Sequence, residues 1–442
     1  MNPFLSALYR FLKAVARLAI RIYYPRTATI NAAGLHFSNP AILVSNHPNT
    51  LMDVLLSASR IRRQAFFLAN SSLFKTAFTD WLFTTLYCIP IERYDDTGGK
   101  PLNNADAFAR CDAFLGAGGV LYIAPEGNSW MERRMQKLKT GTARIAFSAE
   151  SKASFELGLM IHPIGLTYED PQRFGSRVLV NVGEPIRVAD FRKDYENNPV
   201  EAVRKLTAFL EARMRDLTID TLDNEEDQLL RVIERIQRND HPEWTDERHF
   251  FQAQVAMKAL RNWPDQDLQG FEAFRKHALN YKQELEGARL TDRAFASRQK
   301  PRAGLLRWLQ IPAAIPGLAV FLYGWINHLL PAGLPILLKR KLKLYPGYDA
   351  TVKVMVGLFS FPLFYWLQSE AVEAWFGVTA SWYYLLTLPF VGWGAFLFQK
   401  QVPKWQTDWR LRRLAKTHPE LMDKLDAERR VLSNWAAELP LK

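Results

Sequence analysis

The chain has 442 residues, room for two or three domains at about 150 residues each. Hydrophobic residues make up 48% and charged residues 23%, which excludes a generally disordered chain, and two cysteines, Cys88 and Cys111, exclude both a disulfide framework and a four-cysteine zinc site. Lys and Arg number 57 against 45 Asp and Glu, and the net charge of +12 points to an anionic partner: nucleic acid, a phosphate-bearing substrate or a membrane surface. Aromatic residues reach 13% and cluster in apolar stretches, which favours the membrane. No nucleic-acid recognition motif supports that partner.

Residues 1–27 predict an amphipathic interfacial helix. Arg10, Lys13, Arg17 and Arg21 share one face, and Phe4, Leu8, Phe11, Leu12, Val15, Leu18 and Ile22 occupy most of the rest. The competing expectation is an ordinary amphipathic helix docked on a core. The four cations interrupt the apolar run that a signal peptide needs.

Residues 28–198 carry short apolar runs at 41–46, 64–70, 87–93, 120–127, 159–168 and 177–185, with helical patterns between several of them. Such alternation predicts an α/β domain with a mainly parallel sheet flanked by helices. Residues 199–303 are charged and helix-patterned, a helical subdomain that ends in a basic linker.

Residues 304–400 read as a C-terminal transmembrane region. Segments 311–338, 350–367 and 377–398 are apolar, and Trp325, Trp366, Trp375, Trp382 and Trp393 lie in or near them as an aromatic belt would. Pro312, Pro316, Pro331 and Pro335 predict that the first segment is broken or re-entrant. The other two read as spans. LKRKLK at 338–343 and the basic stretch after Gln399 place those flanks, the catalytic region and a basic tail at 401–442 in the cytosol; Glu370 and Glu373 mark the far side. In a bacterium this would be the inner membrane.

Three clusters could carry chemistry. In SNHPNTLMD, His47 follows a strand, Pro48 keeps it out of the α conformation, and Asp53 falls near the first turn of the next helix. A carboxylate there can orient the imidazole and raise its basicity, giving a pair able to deprotonate a hydroxyl. In APEGNSWMERRMQKLKTG, a strand ends at Pro125-Glu126-Gly127, and Arg133, Arg134, Lys137 and Lys139 precede a helix start at Gly141-Thr142. Backbone amides, a helix N-terminus and cations there suit a phosphate. In CIPIER, Arg93 lies just past a strand end, where ligands of open α/β sheets bind. His162, His241, His249, His277, His328 and His418 show no metal-ligand spacing, and no metal is expected; His162 reads as a core histidine.

Taken in order, these blocks resemble the glycerolipid acyltransferase superfamily over about residues 28–190. The blocks are His47 with Asp53; IPIER with Arg93; Pro125, Glu126, Gly127, Asn128 and Ser129 followed by LKTG; and IHPIGLTY with Pro163. Most members place four residues between the His and the Asp. Here there are five, Pro48 to Met52, a pattern similar to the fungal glycerol-3-phosphate/dihydroxyacetone-phosphate acyltransferases.

The resemblance implies that His47, oriented by Asp53, activates a glycerol hydroxyl for attack on the thioester of acyl-CoA or acyl carrier protein, with no further cofactor. It implies that Arg93, Glu126, Gly127, Lys139, Arg133 and Arg134 contribute to binding the acceptor phosphate. Asn46, Asn49, Pro125, Ser129 and Pro163 would support the loops and the acyl site. The expected acceptor is glycerol-3-phosphate or 1-acylglycerol-3-phosphate (lysophosphatidate), and the expected partner is the phospholipid bilayer. A glycolipid or aminolipid acceptor, or a non-catalytic lipid-binding scaffold, are the alternatives.

Overall fold

Apolar runs punctuated by Gly, Pro and Asn fold into strands, and the computed structural model describes residues 3–85, 87–92, 104–296 and 304–441. Two units result. The first is Met1–Asp220 with Tyr345–Thr351, and the second is Thr221–Leu344 with Val352–Lys442.

The first unit holds β1 (Arg26–Ile30), β2 (Ala41–Ser45), β3 (Ala65–Asn70), β4 (Cys88–Ile91), β5 (Val120–Ile123), β6 (Met160–Tyr168), β7 (Arg177–Val182) and β8 (Ile186–Arg187). Their order in one sheet is β1-β7-β6-β2-β5-β3-β4, with β8 also on β6. Neighbours from β6 through β4 run parallel, as do β1 and β7; β7 and β8 run antiparallel to β6. The carboxyl ends of β2, β3, β4, β5 and β6 therefore share one edge, where an open α/β sheet binds its ligands.

The helices of this unit are α1 (Pro3–Tyr23), α2 (Leu51–Ala58), α3 (Ala77–Thr85), α4 (Ala105–Gly116), α5 (Gly141–Lys152), α6 (Arg192–Asn197) and α7 (Pro199–Asp216). Strand parity assigns the two faces of the sheet. Ile42, Val44, Leu121, Ile123 and Ile161 join Cys111, Leu115, Ala146, Phe147, Leu206 and Leu210 in one core under α4, α5 and α7. Leu43 and Tyr122 take the other face. Met52 and Leu56 of α2 are fully buried, each worth about 1.5–3 kcal/mol of apolar burial.

Two boundaries differ from expectation. β1 was not anticipated: RTATI is short, half-exposed and polar, as an edge strand is. The helical subdomain was expected from residue 199, yet α7 buries Ala202, Leu206, Leu210 and Met214 in the sheet core and belongs to the first unit. A helix packed on a sheet and a helix packed in a bundle have the same 3.6-residue period.

The basic stripe of α1 also turns out differently. Lys13 Nζ donates to the carbonyls of Ile61 and Arg63 at 2.6 and 2.9 Å, and Arg17 Nε donates to that of Ser59 at 2.7 Å. Arg17 thus meets the carbonyl end of α2 at its C-cap, and Lys13 holds the loop that follows. The outward face is apolar instead: Phe4 is 71% exposed and Phe11 65%, with Leu18 and Ile22 beside them.

The second unit contains α8 (Asn224–Asp240), α9 (Asp246–Gln266), α10 (Leu268–Gly287), α11 (Asp292–Ala296), α12 (Gly304–Leu342), α13 (Asp349–Phe376, entered from the first unit), α14 (Val378–Thr417) and α15 (Pro419–Glu438). Residues 401–442, expected as a basic tail, are the end of α14 and the docked helix α15. Arg429 of α15 pairs with Asp292 at 2.8 Å and Asp240 at 2.6 Å, and Trp435 stacks on Trp263 with centroids 5.5 Å apart.

The expected break in the first apolar segment does not occur, because α12 is continuous through all four prolines. Proline removes the N–H that would pair with the carbonyl four residues earlier. For Pro331 that carbonyl belongs to Asn327, and Gln368 Nε2 donates to it at 2.9 Å. For Pro335 it belongs to Pro331, and Ser360 Oγ donates to it at 2.9 Å. Side chains of α13 thus replace the missing bonds, as polar residues do in apolar surroundings. Glycines let α12 and α14 approach closely: a Cβ on Gly324 would lie 2.5 Å from the Val391 carbonyl oxygen, and one on Gly394 2.9 Å from Val320. By length and composition, the described stretches able to cross a membrane are Pro316–Leu342 and Pro346–Phe376.

Candidate active site

β2 ends at Ser45, and the chain leaves the carboxyl edge of the sheet through a clamp. Asn46 Nδ2 donates to the Leu166 carbonyl at 2.9 Å, and its Oδ1 accepts the Leu166 amide at 2.7 Å. His47 follows, and its Nδ1 lies 3.1 Å from Asp53 Oδ2. The imidazole is 17% exposed and the carboxylate wholly buried, so one ring edge is left for a ligand.

Asp53 is satisfied from three directions. Tyr168 donates its hydroxyl to Oδ1 at 2.6 Å, and the Asn49 amide donates to Oδ2 at 2.6 Å, beside His47. Burial pushes the Asp53 carboxyl above its ordinary range, while His47, Tyr168 and the Asn49 amide oppose the shift. Burial, with the Asp53 charge, holds Tyr168 strongly protonated, so it acts as a donor.

The five-residue spacing is accommodated at Thr50, which sits at φ 46°, ψ −125° just before α2. Thr50 N donates to Ser129 Oγ at 3.2 Å, and the Trp130 amide donates to the His47 carbonyl at 3.1 Å. Asn49 Nδ2 reaches the Tyr24 hydroxyl at 2.7 Å and the Pro171 carbonyl at 3.2 Å. The turn is therefore tied to the loop after β5 and to the end of α1.

Glu126 was expected at the acceptor phosphate, and the structure gives it other work. It is buried, and its two oxygens accept the His47 amide at 2.8 Å and the Gln136 amide at 3.0 Å. A carboxylate so engaged repels phosphate; it staples the two loops together. Burial raises its pKa, and the two amides pull it back. Gly127 takes φ +82°, a conformation that favours glycine, and the stem of Lys139 lies over it, with Cγ 3.5 Å from where a Cβ would stand. The Pro125 carbonyl accepts the Lys139 amide at 2.8 Å.

Of the remaining cations, Lys137 and Lys139 are exposed, Arg133 is half-buried and Arg134 pairs with Glu132 at 3.3 Å. Arg93 lies outside the described residues, two positions beyond the end of β4 in sequence. Pro163 lies within β6 opposite Val44, where its carbonyl accepts the Gly183 amide at 2.9 Å; it shapes the sheet. His162 is buried against Phe37, and desolvation lowers its pKa to about 4, as for a core histidine. Two participants were missed, Tyr168 and Tyr24. Each closes a strand or helix pattern that reads as ordinary core.

The profile of the Acyltransferase family matches residues 24–167, the segment that carries the His47 turn, β5 and most of β6. This segment belongs to the glycerolipid acyltransferase superfamily. Glycerol-3-phosphate O-acyltransferase 1 of Saccharomyces cerevisiae is 28% identical over 117 residues, and glycerol-3-phosphate O-acyltransferase 2 of the same yeast is 31% identical over 108. These stretches are 26% and 24% of this chain, and 15% and 14% of the yeast proteins' own lengths. The crystal structure of the 1-acyl-sn-glycerophosphate acyltransferase from Thermotoga maritima aligns over 49% of this chain and 82% of its own, at 17% identity and a TM-score of 0.36. The acyltransferase domain thus comprises the sheet edge that holds His47 and Asp53.

Proposed function

We propose that this protein is a membrane-bound O-acyltransferase that moves a fatty acyl group from a thioester donor, acyl-CoA or acyl carrier protein, to glycerol-3-phosphate or 1-acylglycerol-3-phosphate. The observation that carries the reading is the partly exposed His47, its Nδ1 3.1 Å from a fully buried Asp53 that Tyr168 and the Asn49 amide hold in place at the carboxyl edge of the sheet.

Asp53 keeps Nδ1 as the protonated ring nitrogen, so Nε2 is the base. Nε2 takes the proton of the glycerol hydroxyl as its oxygen bonds to the thioester carbonyl carbon. The tetrahedral intermediate collapses, the C–S bond breaks, and the imidazolium returns the proton to the departing thiolate. The products are an ester and a free thiol, with no covalent enzyme intermediate. Positioned general-base catalysis of this kind contributes about 10²–10⁴-fold. Buried Asp53 stabilises the imidazolium while it lasts. Lys139 and Arg93 are the proposed grips on the acceptor phosphate.

The membrane reading is supported by the two apolar stretches and by the outward face of α1, where Phe4, Phe11, Leu18 and Ile22 are rimmed by exposed Arg10 and Arg21. The basic flank at 338–343 supports a cytosolic position for the catalytic domain.

The test is transfer from radiolabelled palmitoyl-CoA or palmitoyl carrier protein by the purified chain in liposomes, with each acceptor offered separately. Product that disappears in His47→Ala and Asp53→Ala supports the mechanism. Product retained in His47→Ala refutes it, and no product with either acceptor and either donor refutes the substrate assignment. Lys139→Ala should raise the acceptor KM and leave the donor KM unchanged.

A further inference from the structure

Tyr345–Thr351, which joins the apolar helix α12 to α13, belongs to the first unit. It contacts the turn between His47 and Asp53. Thr50 Oγ1 lies 3.2 Å from the Gly347 carbonyl oxygen and 2.7 Å from Thr351 Oγ1. One hydroxyl relay satisfies both contacts, with Thr351 donating to Thr50 and Thr50 donating to Gly347. The Tyr345 hydroxyl accepts the Met131 amide at 3.2 Å, two residues beyond Ser129. Gly347 and Asp349 are buried.

Thr50 is the residue that needs such support. At φ 46° and ψ −125° it occupies backbone space that a β-branched residue rarely adopts, and such a conformation persists only where its surroundings over-determine it. Its amide is held by Ser129 and its hydroxyl by the 345–351 segment. Its neighbours Asn49 and Asp53 carry the bonds that align the carboxylate with His47.

We propose that Tyr345–Thr351 is a positioning element for the proposed acyl transfer: Thr351 and the Gly347 carbonyl hold Thr50 in its strained conformation, so that the five-residue turn presents Asp53 to His47. The proposal rests on the reading of His47 as base. It assigns a role in the reaction to a segment some 300 residues from the turn in sequence and outside the matched acyltransferase region.

The experiment uses the full chain with Thr351→Val, which keeps the shape and removes the hydroxyl, and Thr351→Ser, which restores it. Displacing a catalytic group by about 1 Å costs up to about a hundredfold in rate. Thr351→Val should therefore lose about tenfold or more in kcat with both KM values unchanged, and Thr351→Ser should recover most of the rate. The carboxylates that face His47 are Asp53 from α2 and Glu126 from the loop after β5, and Tyr168 and Tyr122 face Asp53; neither substitution touches them. The pH–rate profile should change in Thr351→Val and return to the wild-type profile in Thr351→Ser.

A second readout needs no turnover. The His47 ring nitrogens, assigned by their loss in His47→Gln, are followed by NMR at fixed pH, and their chemical shifts should change in Thr351→Val and return in Thr351→Ser. An unchanged kcat and unchanged His47 shifts in Thr351→Val overturn the proposal, as do equal losses in the two variants. If His47→Ala keeps its activity, the reading of the base fails, and the NMR shifts still decide whether Thr351 positions the imidazole.

Discussion

Tyr168→Phe removes one hydroxyl from the site and leaves the ring. The hydroxyl donates to Asp53 Oδ1 at 2.6 Å, and Asp53 has no exposed side-chain area. Water cannot replace the lost donor without entering the packed space between α2 and β6, so the oxygen is left unsatisfied. A buried polar group in that position costs about 1–3 kcal/mol, toward the upper end for an ionised acceptor. For a unit of this size each kcal/mol lowers the melting temperature by about 2–4 °C. The expected fall is therefore roughly 4–12 °C in detergent at pH 8.

The deficit should depend on pH in one direction. Burial raises the folded-state pKa of Asp53 above its unfolded value of about 3.9. The protonated form is thus favoured in the folded chain, and its stabilising contribution is complete below the unfolded value and fades as pH rises through the folded one. The Tyr168 bond works against that shift by favouring the carboxylate. Its loss costs most where Asp53 is ionised and least in acid. Melting curves of wild type and Tyr168→Phe at pH 8 and pH 5, with kcat alongside, check this. A deficit that is absent at pH 8, or larger at pH 5 than at pH 8, refutes the assignment of Tyr168 as donor to an ionised Asp53. Acyl transfer should fall less than in Asp53→Ala, since His47 and the Asn49 amide still hold Oδ2.

Glu126→Gln puts an amide N–H₂ against one of two backbone N–H donors; it should cost about 1–3 kcal/mol in thermal stability and lower kcat, with the acceptor KM unchanged. A raised acceptor KM instead would return Glu126 to the phosphate. Gly127→Ala forces a side chain into φ +82°, at a cost of about 1–2 kcal/mol, and should lower both the melting temperature and the rate. On α1, Phe11→Ser with Leu18→Ser should weaken flotation with anionic liposomes and leave the melting temperature nearly unchanged, whereas Lys13→Ala should lower the melting temperature, because its ammonium is spent on the Ile61 and Arg63 carbonyls.

Much of this fold was legible because a buried parallel strand has to be a short continuous apolar run. AILVS, VLYI and the first half of β6 could hardly be anything else. The pair His47 and Asp53 was legible for a related reason: a strand end, a Pro turn and a helix start within seven residues leave the side chains few places to go. Tyr168 was not, because a tyrosine closing a strand reads as core until β6 is known to lie beside β2 with residues 164, 166 and 168 on the face of Ser45. Glu126 was expected at the phosphate because Pro-Glu-Gly after a strand announces a ligand loop without saying which atoms meet the ligand, and its two amide contacts lie across loops that local sequence does not bring together. The prolines of α12 predicted a break because their compensating donors, Gln368 and Ser360, stand on another helix about 30–40 positions away.

The basic face of α1 shows why charge patterning alone misleads about a membrane helix. A Lys or Arg stripe lowers its free energy wherever it meets concentrated negative potential, and a lipid headgroup layer and the carbonyl end of another helix both supply it. Arg17 takes the second at Ser59, and Lys13 takes the Ile61 and Arg63 carbonyls of the loop just beyond it. Burial beside Arg17 brings the Lys13 ammonium down to about 8, so the group has given up part of its hydration to reach those carbonyls. That commitment fixes the rotation of α1 on the domain. Once Lys13 and Arg17 point inward, Phe4, Phe11, Leu18 and Ile22 must point out, since they lie roughly a third to a half of a turn away on the same helix. The cations therefore orient the apolar face indirectly, by anchoring its opposite side to α2, the helix that carries Asp53. Removing Lys13 releases that anchor, so Lys13→Ala should lower kcat in the acyl-transfer assay even in detergent, where no bilayer contributes, and an unchanged kcat there would refute the coupling.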